Sequence, residues 1–311
     1  MTEPPRTTIT SIGGAPLPQQ MLLDDGTLAV KRGDYTVALK IFRALADEGN
    51  PHAQHNLGVM HLNGYGVPKD YAKALNWFMQ SAVQGQISSK VILAMMFERG
   101  WGTPQDYAKA GFWYQFAAED GNLEAQLVLG SWYSEGSAVP QDFTEAAKWY
   151  RLAAEQGDAE AQFHLGLRYT PGGGMPLNHA EALKWFRLSA AQDNADGQFM
   201  LGRMYAQGHG VLQDYAEAVK WIRLAAIQGN DYAQYHLGTM YLLGQGIPQD
   251  YVRAHMWSNL AAALGTLADA SGIDMAATQR DLVAEKMTSA QVSEAQRMAR
   301  ECLERNFKNC D

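Results

Sequence analysis

Six tryptophans, Trp77, Trp113, Trp149, Trp185, Trp221 and Trp257, stand 36 residues apart without a slip. A period of that length means that one small supersecondary unit recurs along the chain. No copy can bury its apolar face alone, so stacking of neighbours has to supply the core. Asp70, Asp106, Asp142, Asn178, Asp214 and Asp250 keep the same step, and so do Gly58, Gly130, Gly166, Gly202 and Gly238, with Ala94 in the one gap. The string GVPKDYAKALNWFMQSAVQG at 66–85 returns as GVLQDYAEAVKWIRLAAIQG at 210–229, four periods later.

Each period reads as two helices. Asn50, Asn122, Asp158, Asn194 and Asn230 precede apolar runs of helical spacing and are good N-cap residues; Gln86 breaks the series. The first helix should stop at a Gly-x-Gly pair such as Gly244 and Gly246, which permits left-handed backbone, and a second should start near Gln249 and Asp250 and end at Gly265. Gly238 lies inside a first helix, where glycine costs about 1 kcal/mol relative to alanine. Its placement predicts close approach of the second helix at Ala254 and Ala262.

The run AQYHLGTMYLLGQGIPQDYVRAHMW at 233–257, matched in register by the other copies, resembles the Sel-one-like repeat (SLR), a relative of the tetratricopeptide repeat. The resemblance implies an all-α fold, a right-handed α/α superhelical solenoid of about six to seven 36-residue hairpins with helical caps, and a bacterial source. Six copies fill 50–265, and 20–49 reads as a degenerate further unit or N-terminal cap. Residues 1–19, with four prolines among the first twenty residues and no apolar core, read as a flexible arm and not as a signal peptide, although a chain shorn of its leader would look the same. Residues 266–311 read as a helical cap, with Leu282, Val283 and Met287 at helical spacing and Thr288 or Ser289 capping a last helix. Departures from the pattern, SSKVILAMMF at 88–97, GSAVP at 136–140, PGGGMPLNH at 171–179, Asp193 and Gly197, predict locally irregular stacking.

Comparing the copies with one another separates a core from a variable face. In the first helices the positions of Ala53, Gln54, Leu57, Gly58 and His61 recur and fall on one side; those of His52, Asn56, Val59 and Asn63 vary and fall on the other. Down the array the variable positions carry Ile92, Met95 and Arg99; Val128, Ser131 and Glu135; His164 and Leu167; Met200, Arg203 and Gln207; His236 and Thr239. The resemblance puts first helices on the concave side, which makes these residues, with the loop residue Trp101, the candidate partner-binding set; Trp101 either anchors a partner or folds back on the next hairpin. Neutral drift at exposed positions gives the same variation. On the second helices Glu145, Glu181 and Glu217 precede Lys148, Lys184 and Lys220 by three residues, a solvated surface pattern. Trp132 stands where other copies carry methionine, a packing position.

A formal net charge of -8 supplies no basic field for nucleic acid or anionic membrane surfaces. No stretch approaches the ~18 consecutive apolar residues of a membrane-spanning helix. The chain has no G-x-S-x-G, H-E-x-x-H or P-loop, no serine followed three residues later by lysine, and no histidine set with ligand spacing. No metal or small-molecule cofactor is expected. Cys302 and Cys310 either close a disulfide in an oxidising compartment or remain two thiols near the terminus. The expected function is a non-enzymatic scaffold holding a protein or peptide partner, as adaptor, regulator or inhibitor of the immunity type, in the cell envelope, periplasm or secreted. The alternatives are a cytoplasmic location, a hydrolase or binder of cell-wall or β-lactam compounds, and a structural spacer.

Overall fold

The computed structural model describes residues 19–264, 274–307 and 310. The expected N-terminal arm up to residue 18 and the expected repeat end at Gly265 lie outside the described residues. Sixteen α-helices and no strand occur among them, and the chain forms two compact units, one ending at Gln141 and the other beginning at Asp142.

The first unit contains α1 (Gln19–Arg32), α2 (Tyr35–Asp47), α3 (Pro51–Asn63), α4 (Tyr71–Ala82), α5 (Ile87–Arg99), α6 (Tyr107–Glu119) and α7 (Leu123–Glu135). Neighbours in sequence pair as antiparallel hairpins, and each hairpin packs on the next. The N-caps explain where helices begin. Asn50 and Asn122 accept backbone N–H bonds from the first turns of α3 and α7, whereas Gln86 makes no side-chain cap, as its break in the series predicts. Asp70 and Asp106 work in both directions. Their carboxylates cap α4 and α6, while their own N–H groups donate to His61 O and Phe97 O at 2.9 Å and tie each loop to the preceding helix.

The second unit contains α8 (Phe143–Glu155), α9 (Ala159–Arg168), α10 (His179–Ala190), α11 (Ala195–Gln207), α12 (Tyr215–Ala226), α13 (Asp231–Leu243), α14 (Tyr251–Leu264), α15 (Met275–Ala284) and α16 (Ser289–Glu304). Helix α9 is 10 residues long where its siblings have 13, because Pro171 disfavours helical backbone in the residue before it. The tail is helical as expected, with Thr288 and Gln291 forming a capping box. Val283, Ala295, Ala299 and Cys302 join the core of the last hairpins. Cys302 and Cys310 form a disulfide. It closes a turn in which Asn306 and Phe307 take left-handed backbone, φ 51° and 62°, and Phe307 lies against Gly229.

The mid-helix glycines are sites of close approach by the second helix, as expected, with one of the two expected partners replaced. A Cβ on Gly58, Gly166 or Gly202 would lie 2.5–2.7 Å from the side chain twenty residues on, Phe78, Phe186 or Ile222. At Gly238 the neighbours are Ser258 Oγ at 2.9 Å and Ala254 O at 3.1 Å. Ala254 is therefore as predicted, but Ser258 takes the place assigned to Ala262, because twenty residues spans the hairpin at its closest crossing.

Two of the expected irregularities, at 88–97 and at Gly197, are matched substitutions. Buried Gln54, Gln162 and Gln198 each donate to a carbonyl at the end of the preceding second helix and accept from Gln84, Gln192 and Gln228. In the second copy the same two positions are Lys90 and Asp120, joined as an ion pair with Lys90 buried. Ser89, where alanine is usual, donates to Ser81 at 2.8 Å. Gly197 leaves room for Ser189, whose Oγ would stand 2.4 Å from a Cβ there. Helices α5 and α11 accordingly keep the 13-residue length of regular copies.

Candidate functional site: the first-helix faces

In the first unit the variable face is half-buried. Ile92 packs against Phe78 and Met96, Met95, Val128 and Ser131 are partly covered, and Arg99 and Glu135 are exposed. Ser131 Oγ donates to Glu135 Oε1 at 2.7 Å, so these two act as one polar patch. Trp101 is half-exposed in its loop. Its ring stacks on Tyr71 at 5.6 Å and lies under the Arg99 guanidinium. Tyr65 stacks on Tyr35 and His209 on His179 in the same way; the loop residue is a clip onto the preceding hairpin. Trp132 is buried in edge-to-face contact with Tyr107 and Tyr114 of α6, the packing role its position predicts.

A serine–histidine contact also lies here: His55 Nδ1 is 2.8 Å from Ser89 Oγ. Ser89 is fully buried, its hydroxyl donates to Ser81, and Ser81 donates to Pro51 O. Burial, aided by His52, holds His55 below the ordinary imidazole value. Ser81 and Ser89 lie in the core, and His55 is half-buried at the end of this hydrogen-bonded chain.

In the second unit the face runs from α9 through α11 to α13. His164 stacks on Tyr150 at 4.9 Å with Glu160 3.8 Å from its Nε2. Leu167 and Met200 are half-buried, Met200 against the core, and Gln207 is exposed. Arg203 has its guanidinium 5.7 Å from the Phe199 ring centre and 3.9 Å from Met200 Sδ. It makes no ion pair among the described residues, and its Nε is buried without a hydrogen-bond partner. Burial and, second, the Arg203 charge push His236 down to about 4, so the ring is neutral near pH 7.

Two hollows adjoin Thr239. One, of about 80 Å³, is lined by Arg203, Gln207, His236, Thr239 and Gln245 with apolar neighbours and no carboxylate. The other, of about 410 Å³, lies between α13 and α15 and is lined by Tyr235, Leu242, Met275 and Leu282 with Thr239, Thr278 and Gln279. Gln279 Nε2 donates to Thr239 Oγ1 at 3.1 Å and joins the two helices between the hollows. Sequence comparison of copies brings Arg203, Gln207, His236 and Thr239 together, but it misses the α15 wall. Spacing groups Leu282 with Val283 and Met287. Leu282 points outward, half-exposed, while Val283 is buried.

Comparison with known proteins agrees with this architecture. The Sel1 repeat profile matches seven segments, 21–50, 51–85, 89–122, 123–158, 159–194, 195–230 and 231–266. Among solved structures the chain is similar to c5321, described as a protective antigen present in uropathogenic Escherichia coli strains displaying an SLR fold, at 31% identity and TM-score 0.74 over 94% of this chain. The chain spans 62% of the length of that protein. It is also similar to a Sel1 repeat protein from Oxalobacter formigenes, at 29% identity and TM-score 0.60, covering 77% of this chain and 96% of the other. No curated protein matches the sequence. With seven repeats in register over most of its length and the hairpin stacking that they require, the chain belongs to the Sel1 repeat family.

Proposed function

We propose that the protein is a non-catalytic scaffold that binds a protein or peptide partner on its first-helix faces. The observation that carries this reading is the contrast within each first helix. The Ala-Gln-Leu-Gly side stays buried in every copy, with Ser89, Lys90 and Gly197 matched by their partners, while the opposite side changes from Met95 to Ser131 in one unit and from Leu167 to Arg203 to Thr239 in the other. A fixed backbone carrying varied, half-exposed chemistry is how repeat arrays present recognition surfaces. The Ser89–His55 contact gives the non-catalytic reading support, since its hydroxyl is sealed in the core.

The test is crosslinked capture from native lysate with the intact chain and with the His164→Ala, Arg203→Gln, Gln207→Ala variant, read by quantitative mass spectrometry. These positions are half-buried or exposed, so the variant should keep its helicity. A protein captured by the intact chain and depleted with the variant is expected. Identical capture by both would remove the second-unit face from the function. The Cys302–Cys310 bond supports an oxidising location, cell envelope, periplasm or secreted. Alkylation of thiols in intact cells checks it: two labelled cysteines would favour the cytoplasm.

A further inference from the structure

We infer that the α11–α13–α15 corner of the second unit is a receptor for a peptide that places an acidic side chain beside an apolar one. The inference rests on the scaffold reading and specifies its ligand.

The smaller hollow has the size and the donors for a carboxylate. Its volume, about 80 Å³, has room for a carboxylate group. Its polar lining is Arg203, Gln207, His236, Thr239 and Gln245, and it contains no acidic residue. Arg203 is the telling member. In a chain of net charge -8, an arginine held against Phe199 and Met200 with a buried, unpartnered Nε and no ion pair among the described residues leaves its charge unanswered. A planar guanidinium recognises a carboxylate with two parallel bonds, stronger than neutral hydrogen bonds. His236 beside it is held neutral, so it adds a polar wall and no second charge.

The larger hollow has the opposite character. Tyr235, Leu242, Met275 and Leu282 give it an apolar lining, and Leu282 is 50% exposed. Its volume of about 410 Å³ suits one or two aliphatic or aromatic side chains. Thr239 lines both hollows. An extended peptide advances roughly 3.3 Å per residue, so the carboxylate and the apolar group belong to residues adjacent or next but one in the ligand.

The experiment selects binders for the full chain from a random library of N-acetylated, C-amidated hexapeptides. Selected peptides are expected to carry Asp or Glu within two residues of Leu, Met or Phe. For one such peptide, replacing its Glu by Gln should weaken binding to the intact chain about tenfold, and should change binding to Arg203→Gln by less than about twofold. Leu282→Ser should weaken binding while the Glu-to-Gln difference persists. Thermal unfolding of both variants verifies that they are folded. Selected peptides without an acidic residue, or a Glu-to-Gln effect that persists in Arg203→Gln, would overturn this inference; if their binding is lost on His164→Ala or Leu167→Ala, the broader scaffold reading stands. A library that yields no binder overturns the receptor itself, while the lysate capture above still decides the scaffold reading separately.

Discussion

Lys90 is a charge almost fully withdrawn from solvent, and a glutamine occupies its position in other copies. It is tolerated because Asp120 stands where those copies carry the partner glutamine. Removing one member leaves a buried charge without its counter-ion, so Asp120→Gln should lower stability by about 1–3 kcal/mol, the half-exposed carboxylate placing it below the range for fully buried pairs. Lys90→Gln with Asp120→Gln should recover most of the loss by rebuilding the amide pair. Urea unfolding of the single and double variants decides it; additive losses would sink the idea that the two positions act as one. The same logic applies at Gly166. A methyl 2.6 Å from the Phe186 ring has to displace it, so Gly166→Ala should cost about 1–3 kcal/mol, with partial recovery on adding Phe186→Leu. The glycine and the glutamine were legible from their period. Their partners, twenty and thirty residues away, were not, because a single helix wheel says nothing of which neighbour fills a notch.

At the scale of an element, α9 carries the sharpest anomaly. Its Arg168 occupies the position of buried Met60, Met96, Met204 and Met240, lies over Phe143 at 5.0 Å, and keeps Nε and Nη1 buried without hydrogen-bond partners. Arg168→Met restores the apolar ladder and should raise stability by about 1–2 kcal/mol, the relief of two buried unsatisfied donors being partly offset by loss of the cation–π contact with Phe143; a lower unfolding midpoint would contradict this. Helix α16 depends on the disulfide to hold the left-handed turn at Asn306 and Phe307 against Gly229. Cys310→Ser should lower stability by about 2.5 kcal/mol on the chain-entropy account, measured beside the parent under oxidising conditions, and under reductant the difference should vanish. Helix beginnings were readable from Asn and Asp caps and helix ends from glycine pairs. The faces of α15 were not. That helix has no sister copy to set core against surface, so spacing alone grouped Leu282 with Val283.

At the scale of the whole molecule, burial has a common electrostatic outcome. His55, His61, His236 and His255 are all held below the ordinary imidazole value, first by desolvation. The unfolded chain takes up protons at these rings near pH 6.5 while the folded chain resists, so stability is full above that pH and falls as pH drops toward the folded values, about 4 for His236. The urea midpoint should therefore decline between pH 7 and 4.5, and His236→Asn should flatten the slope; an unchanged slope would show that His236 is not a principal contributor. Asp70 and Asp106, held below the carboxylate range chiefly by the Lys73 and Lys109 backbone N–H groups, add their own loss only at lower pH.

The matched substitutions bear on how such an array can change its length. Gln54 with Gln84 and Lys90 with Asp120 each lie inside one repeat and travel together when a block is copied or lost. Ser81 with Ser89 and Ser189 with Gly197 straddle a junction, so a crossover there would set serine against a methyl group or strand a hydroxyl. Junctions with alanine on both sides, Ala117 with Ala125 and Ala225 with Ala233, carry no such history. They are the seams along which genetic recombination can splice repeats without a compensating second mutation.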